Sequence, residues 1–243
     1  MNKLADNQEK YNLLGEITNV LKNNFGLTPC IGVEIEFYLS NIKDISALEE
    51  IIKHTIKAEK GRNQYEIDLK PSNDLIGYAK YIESVRDKVA FGAKELGGNA
   101  DFSSKPYIND YGSSMHIHLN FLEDDDIEKF AQILCYYLSD SIPIFLPLEG
   151  DRERLDEKFM APTHICYGGN NRTVAIRIPD SIPRRLEHRL PAASADPASV
   201  IYAILASIVK GLSDRIDTKI YAKIFGNAFD KQYSLQRILQ HKT

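Results

Sequence analysis

Five stretches of the chain alternate apolar and polar side chains with a period of two, and this alternation restricts the fold more than any other feature of the sequence. In Ile31–Leu39 the odd positions are apolar while the even ones carry Glu34, Glu36 and Tyr38. Gln64–Leu69 alternates in the same way, as does Met115–Phe121, which sets His116 and His118 on one side. Val174, Ile176 and Ile178 alternate with Ala175 and Arg177, and Leu186 and Leu190 alternate with Arg185, Glu187 and Arg189. A strand of this kind buries one face only. The expected fold is therefore α+β: a curved, mainly antiparallel sheet with helices on its apolar face and a polar face opposite.

Between these stretches the periodicity is helical. Ile45, Leu48, Ile52 and Ile56 follow a capping Asp44, and a longer helix runs from Asp74 through Leu96 to a stop at Gly97-Gly98. A third helix is expected from about Asp126 to Ser139, and a fourth starts at Pro197 behind a capping Asp196. The tail after Asp217 reads as two short helices. With 243 residues, no internal repeat and no Pro/Gly/Ser-rich linker, residues 1–243 are treated as one domain large enough to bury a core without staples. The net charge of -4 is small and evenly mixed, so neither nucleic acid nor an anionic membrane is an expected partner. No apolar run suggests a membrane span, and the polar start MNKLADNQEK lacks a signal-peptide core, so a cytoplasmic location is expected. Cys30, Cys135 and Cys166 are read as buried free thiols.

Residues two apart on a strand lie about 6.6 Å apart on one face, so Glu34 with Glu36, and His116 with His118, present paired ligands to one space. Glu66 and Glu187 add to them from other strands. Carboxylates with imidazole and no thiolate suit a hard divalent ion such as Mg²⁺ or Mn²⁺. Arg172, Arg177, Arg185 and Arg189 follow on the last strands, and guanidinium forks suit phosphate or carboxylate oxygens. Metal-holding acids beside anion-holding arginines point to phosphoryl transfer. The alternative is a surface lattice of ion pairs with hydrogen-bonded histidines and no metal. No Gly-rich phosphate loop or Gly-x-Ser-x-Gly elbow is present.

Gly32-Val33-Glu34-Ile35-Glu36-Phe37, Lys105-Pro106, Gly112-Ser113-Ser114-Met115-His116-Ile117-His118, Asn171-Arg172-Thr173 and Arg185-Leu186-Glu187-His188-Arg189 occur in the order seen in glutamine synthetases. From about residue 30 to 213 the chain resembles the catalytic domain of that superfamily, a fold shared with guanidino kinases, and 167–173 resembles the branch that joins glutamate to methylamine or polyamines. The resemblance implies two divalent ions, one held by Glu36, Glu59 and Glu66 and the other by Glu34, His116 and Glu187. It assigns His118 and Arg185 to the nucleotide, Arg172 to the nucleotide and the transferred phosphate, and Arg177 to that phosphate. Arg189 falls to glutamate or phosphate, and Gly112 to the amino-acid substrate. The implied reaction phosphorylates the glutamate side chain with ATP, after which ammonia or an amine displaces phosphate.

The departures from the family pattern carry expectations of their own. Asn63 replaces a Gly in the element containing Glu59 and Glu66, and the connection between the first two metal-bearing strands is short. Tyr111-Gly112 stands where Asn-Gly is usual, and Asp196-Pro197-Ala198 where Asn-Pro-Tyr is usual. Fewer than about thirty residues precede the first motif, so the family's N-terminal β-grasp domain and its ring-shaped dodecamer are not expected, although a homo-oligomer is compatible with the sequence. Met160, next to Ala161-Pro162, takes the place of a flap carboxylate, which favours a neutral or alkyl amine over ammonium. Two other roles compete with the ligase: a non-catalytic nucleotide- and metal-binding scaffold, and a kinase acting on another carboxylate or guanidine.

Overall fold

The computed structural model describes residues 7–239. In chain order the elements are α1 (Asn7–Phe25), β1 (Pro29–Ser40), α2 (Ile45–Ile52), β2 (Lys57–Ala58), β3 (Gln64–Ser72), α3 (Leu75–Glu95), β4 (Asn99–Asp101) and β5 (Met115–Phe121). Then come α4 (Ile127–Tyr136), α5 (Leu138–Phe145), β6 (Tyr167–Gly168), β7 (Ile176–Arg177), β8 (Leu186–His188) and α6 (Pro197–Asp214). The strands form one sheet in the order β2-β3-β1-β5-β8-β7-β6, with β4 also paired to β1. Among the described strands only β6 and β7 run parallel; the other pairs are antiparallel, as the alternation predicts.

β1 lies inside this sheet. One of its edges pairs with β3, and the other is shared by β5 at its start and β4 at its end. Its odd residues Ile31, Val33, Ile35 and Phe37 are buried with Ile67 and Leu69 of β3 and Met115, Ile117 and Leu119 of β5. They form one core with Tyr78, Ile82, Val85 and Val89 of α3 and Ile201, Ile204, Leu205 and Ile208 of α6. The β1–β3 register slips between Ile31 and Val33, opposite Pro71. A proline has no N–H for the ladder, and the extra residue is absorbed there as a bulge.

The two caps read from the sequence, Asp44 and Asp196, are in place, and Asp74 and Asp126 at the other two helix starts act in the same way. Asp44, Asp74, Asp126 and Asp196 each accept from the backbone N–H three residues on, which satisfies one orphan donor per helix. Gly97 closes α3 with φ at +78°. α6 is long and apolar enough (18 residues, mean hydropathy 1.2) to cross a membrane, contrary to the expectation that no segment is. More than half of it is buried as the core helix.

Other expectations need correction. The helix from Asp126 to Ser139 is two helices meeting at Tyr137, whose hydroxyl donates to Asp214 (2.8 Å), and the second contains Pro143. The 174–178 strand shrinks to Ile176–Arg177, and its alternation fails because Val174, Ala175 and Ile176 are all buried. Ala175 joins the main core, while Val174 packs in a small cluster with Cys166, Ile224 and Ala228. The 186–190 strand is likewise only Leu186–His188. Its intervening residue His188 lies wholly within the apolar layer against Phe145.

The tail past Asp217 does not form two helices. Its described part is extended and turning, with one short 3-10 turn at Lys231–Tyr233. Its backbone bonds go to the sheet edge: Ile224 N–H to the Tyr167 carbonyl (3.0 Å), and Ile238 N–H to the Thr163 carbonyl (2.9 Å). Residues 7–25 form an α-helix that the polar start of the chain did not suggest. Nor is the polar face bare, since residues 148–162 contribute to the cavity on it.

Candidate active site

Antiparallel partners project to the same face with Cβ atoms about 5 Å apart, so the register alone assembles the site. Glu34 is paired with Asp68 on β3 and His116 on β5, and Glu36 with Glu66 on β3. Glu187 is paired with His118 on one side and Arg177 on the other. Three groups of donor atoms result, each lying within 4.8 Å: Glu34, His116 and Glu187; Glu36, Glu66 and His116; and Glu34, Glu66 and Asp68.

Hydrogen bonds fix these side chains. Ser114 donates to Glu36 Oε2 through both N–H and hydroxyl (2.7 Å each), and its Oγ lies 2.8 Å from His116 Nε2. The other ring nitrogen of His116, Nδ1, is 3.2 Å from Glu34 and 3.6 Å from Glu187. His118 Nε2 lies 2.9 Å from Glu34 Oε1, and its Nδ1 accepts from Arg185 Nε at 3.0 Å. Glu187 takes Arg177 Nη1 at 2.6 Å and Arg189 Nε at 3.2 Å. Arg177 continues to the Asn170 side chain, and Arg189 to the Arg172 carbonyl.

Electrostatics separate the carboxylates. Burial works to raise Glu34, yet hydrogen bonds and charge from His116 and His118 outweigh it and hold the group well below the usual carboxylate range. Glu187 is also lowered: burial opposes ionisation, but His116, Arg189 and Arg177 prevail. Glu66 goes the other way, pushed up to about 10 by burial and by its acidic neighbours Glu34 and Asp68. Burial, then the charge of Glu36, raises Glu59. Burial lowers the Arg189 guanidinium.

The structure thus brings Glu34, Glu36, Glu66, His116 and Glu187 together around one cavity, which Arg172, Arg177, Arg189 and Gly112 also line. Glu59 lines the same cavity but belongs to none of the three donor groups. His118 and Arg185 line an adjoining depression beyond Glu34, with Gly32, Asn120 and Pro183. A donor set of carboxylates and one imidazole fits hard divalent cations.

Sequence reasoning missed three residues here. Asp68 was signalled by the alternation Gln64, Glu66, Asp68. Ser114 lies two residues before His116 on the same face. Arg154 had no periodic signal at all. It is buried in a turn beside the cavity, its Nη2 donates to the Arg189 carbonyl (2.8 Å), and its Nε has no partner among the described residues. Burial pulls it down to about 10. Tyr111, Phe159 and Met160 add an aromatic and apolar wall, and Tyr111 and Phe159 meet edge-on at 5.4 Å.

Residues 42–238 match the family of the glutamine synthetase catalytic domain. Gamma-glutamylputrescine synthetase PuuA of Escherichia coli (strain K12) is 29% identical over 194 residues, covering 73% of this chain and 41% of that protein. Glutamine synthetase of Azotobacter vinelandii is 27% identical over 201 residues, covering 75% and 42%. The chain therefore spans about two fifths of the length of these relatives. Among solved structures, a GmaS/ADP complex superposes with a TM-score of 0.76 at 21% identity, over 94% of this chain and 64% of that one. Apo GmaS without ligand gives 0.78 at 22%, over 94% and 63%. The family match begins after β1, so geometry is what ties Glu34 and Glu36 to the rest of the site.

Proposed function

The chain belongs to the glutamine synthetase catalytic-domain family, and from that premise we propose that it is an ATP-dependent ligase. It joins the side-chain carboxylate of glutamate, or a similar acid, to ammonia or an amine through an acyl phosphate. The observation that carries this reading is that His116 belongs to two donor groups at once, one with Glu34 and Glu187, which lie 3.2 and 3.6 Å from its Nδ1, and one with Glu36 and Glu66. Two adjacent cation positions result, for which Mg²⁺ or Mn²⁺ fits the donors, and Glu59 stands at the edge of the second. Bound there, the ions supply charge neutralisation where a polyphosphate and a carboxylate are brought together.

The chain's own groups do the rest. Glu187 aims Arg177 and Arg189 into the cavity through its two ion pairs, and Arg172 joins them to hold the transferred phosphate. His118 and Arg185, bonded to each other, take the nucleotide side. Arg154 and Gly112 bound the end for the acid substrate. Activation is needed because a carboxylate is a poor electrophile, whereas an acyl phosphate carries a good leaving group. Met160, with Tyr111 and Phe159, offers the incoming amine an apolar wall and no carboxylate. A desolvated cation lacks a partner there, which favours an alkyl amine that enters as the neutral base, such as methylamine.

The test follows ATP consumption by the chain with Mg²⁺ or Mn²⁺ and L-glutamate, alone and with hydroxylamine, ammonium, methylamine or putrescine. Hydroxamate and alkylamide formation is expected, and Glu187→Ala abolishes both. Nucleotide binding without turnover across the panel would establish the scaffold role instead, and a stable phosphorylated product the kinase.

A further inference from the structure

Asp151 is buried in a 3-10 turn and lies outside the set of residues that face the cavity, yet it is a hydrogen-bonding hub. Its Oδ1 accepts from Ser104 Oγ at 2.6 Å and from Ser194 Oγ at 3.4 Å, and its Oδ2 accepts from Leu148 N–H at 2.8 Å. These donors come from three separate segments. Ser104 begins the loop that ends at Gly112, Leu148 precedes the turn that carries Arg154, and Ser194 follows Arg189. A buried carboxylate supplied with hydroxyl and backbone donors from three segments holds them in one arrangement, since each donor lost would leave charge unsatisfied.

The three segments meet where the acid substrate would lie. The Ser104 carbonyl accepts from Ser113 N–H at 2.9 Å, and Arg154 Nη2 reaches the Arg189 carbonyl at 2.8 Å. A Cβ on Gly112 would come within 2.6 Å of Arg154 Cβ and 2.8 Å of the Ser104 carbonyl. Glycine is thus required for the loop to lie flat against the arginine. On its other flank the loop is tied by Gln64 Nε2 to the Gly112 carbonyl (3.0 Å) and by the Tyr38 hydroxyl to the Tyr111 carbonyl (2.8 Å). Those ties come from the metal-bearing strands, whereas Asp151 sits at the flank where Arg154 lies.

We infer that Asp151 is a positioning residue for the acid-binding end of the cavity: through Ser104 and its own turn it sets the spacing between Gly112 and Arg154 and so the affinity for the carboxylate substrate. This rests on the ligase reading for the identity of the acid, and it is read without turnover. The full chain, as wild type, Asp151→Asn and Ser104→Ala, is titrated calorimetrically with L-glutamate in the presence of Mn²⁺ and ADP, and separately with ADP and Mn²⁺ alone. Ser104→Ala removes one tie without burying a new charge and keeps the test valid if Asp151→Asn does not fold.

Glutamate binding is expected to weaken by at least about tenfold in both variants while nucleotide affinity stays within about twofold. In the hydroxamate assay KM for glutamate rises by the same factor, with kcat and KM for ATP little changed. Unchanged glutamate affinity, or a parallel loss of glutamate and nucleotide binding with a lowered Tm, overturns the inference, as does a wild-type chain that binds no glutamate. A wild-type chain that binds glutamate but forms no amide overturns the ligase reading alone.

Discussion

His116 belongs to two of the three donor groups at once, and its ring nitrogens meet Glu34 on one side and Ser114 on the other. Its position follows from two local facts: Ser114 precedes it by two on the same strand face, and Glu34 is its antiparallel partner. Met160 is the residue whose replacement says most about the amine. It lines the cavity with φ at 59°, a left-handed conformation that is uncommon for a long side chain. Met160→Glu adds a charge partner at the apolar wall and is expected to raise kcat/KM for ammonium relative to methylamine by about tenfold, equivalent to about 1.4 kcal/mol. Steady-state rates with the two amines measure it. His188 reports on stability. Burial, then the charge of His116, lowers it to about 3. The unfolded chain therefore binds more protons between pH 6.5 and 3, and the histidine's contribution, complete above pH 6.5, is lost as pH falls towards 3. Between pH 7 and 5 the wild type should lose about 2 kcal/mol that His188→Leu does not, a difference that urea unfolding at the two pH values resolves.

At the scale of elements, helix ends anchor the layer beneath the site. Lys10 of α1 reaches Glu83 of α3 at 2.7 Å and Asp196, the α6 cap, at 2.5 Å, while the Tyr11 hydroxyl donates to the other oxygen of Glu83 at 2.6 Å. Burial works to lower the Lys10 ammonium, and the two carboxylates more than offset it and hold the group above its usual range. Lys10→Met is expected to destabilise the chain by about 1–3 kcal/mol in denaturant unfolding, because two half-buried acids lose their shared partner. The same elements show what the sequence makes legible. Four aspartate caps and the alternating strands were readable because their signals are local, an N–H three residues on or a side chain two residues on. α1 was not read although Tyr11, Leu14, Ile17, Leu21 and Phe25 recur on one face, because the polar residues around them mask that stripe and the partners of Lys10 lie 73 and 186 residues away. The tail was misread for the same reason: Ile224 and Ile238 are apolar at spacings a helix tolerates, but their backbone groups are claimed by Tyr167 and Thr163. Arg154 and Asp151 sit in a turn with no period, where sequence alone has nothing to count.

Across the whole molecule, every member of the three donor groups comes from β3, β1, β5 or β8, four strands adjacent in the sheet. The ligand geometry was therefore recoverable from alternation plus the assumption of neighbouring antiparallel strands, whereas the cavity wall from residues 148–162 was not. The two kinds of charged residue also differ in their support. Glu34 and Glu36 ride on a 12-residue strand bonded along both edges, while Arg177 rides on a strand of 2 residues and Arg172 and Arg185 on none. The proposed socket for positive ions therefore rests on a continuous ladder, whereas the rim that would meet negative groups rests on loops and a two-residue strand and is expected to be the part that adjusts to a guest. A ligand would accordingly be sorted by the charge it brings first and by its outline second.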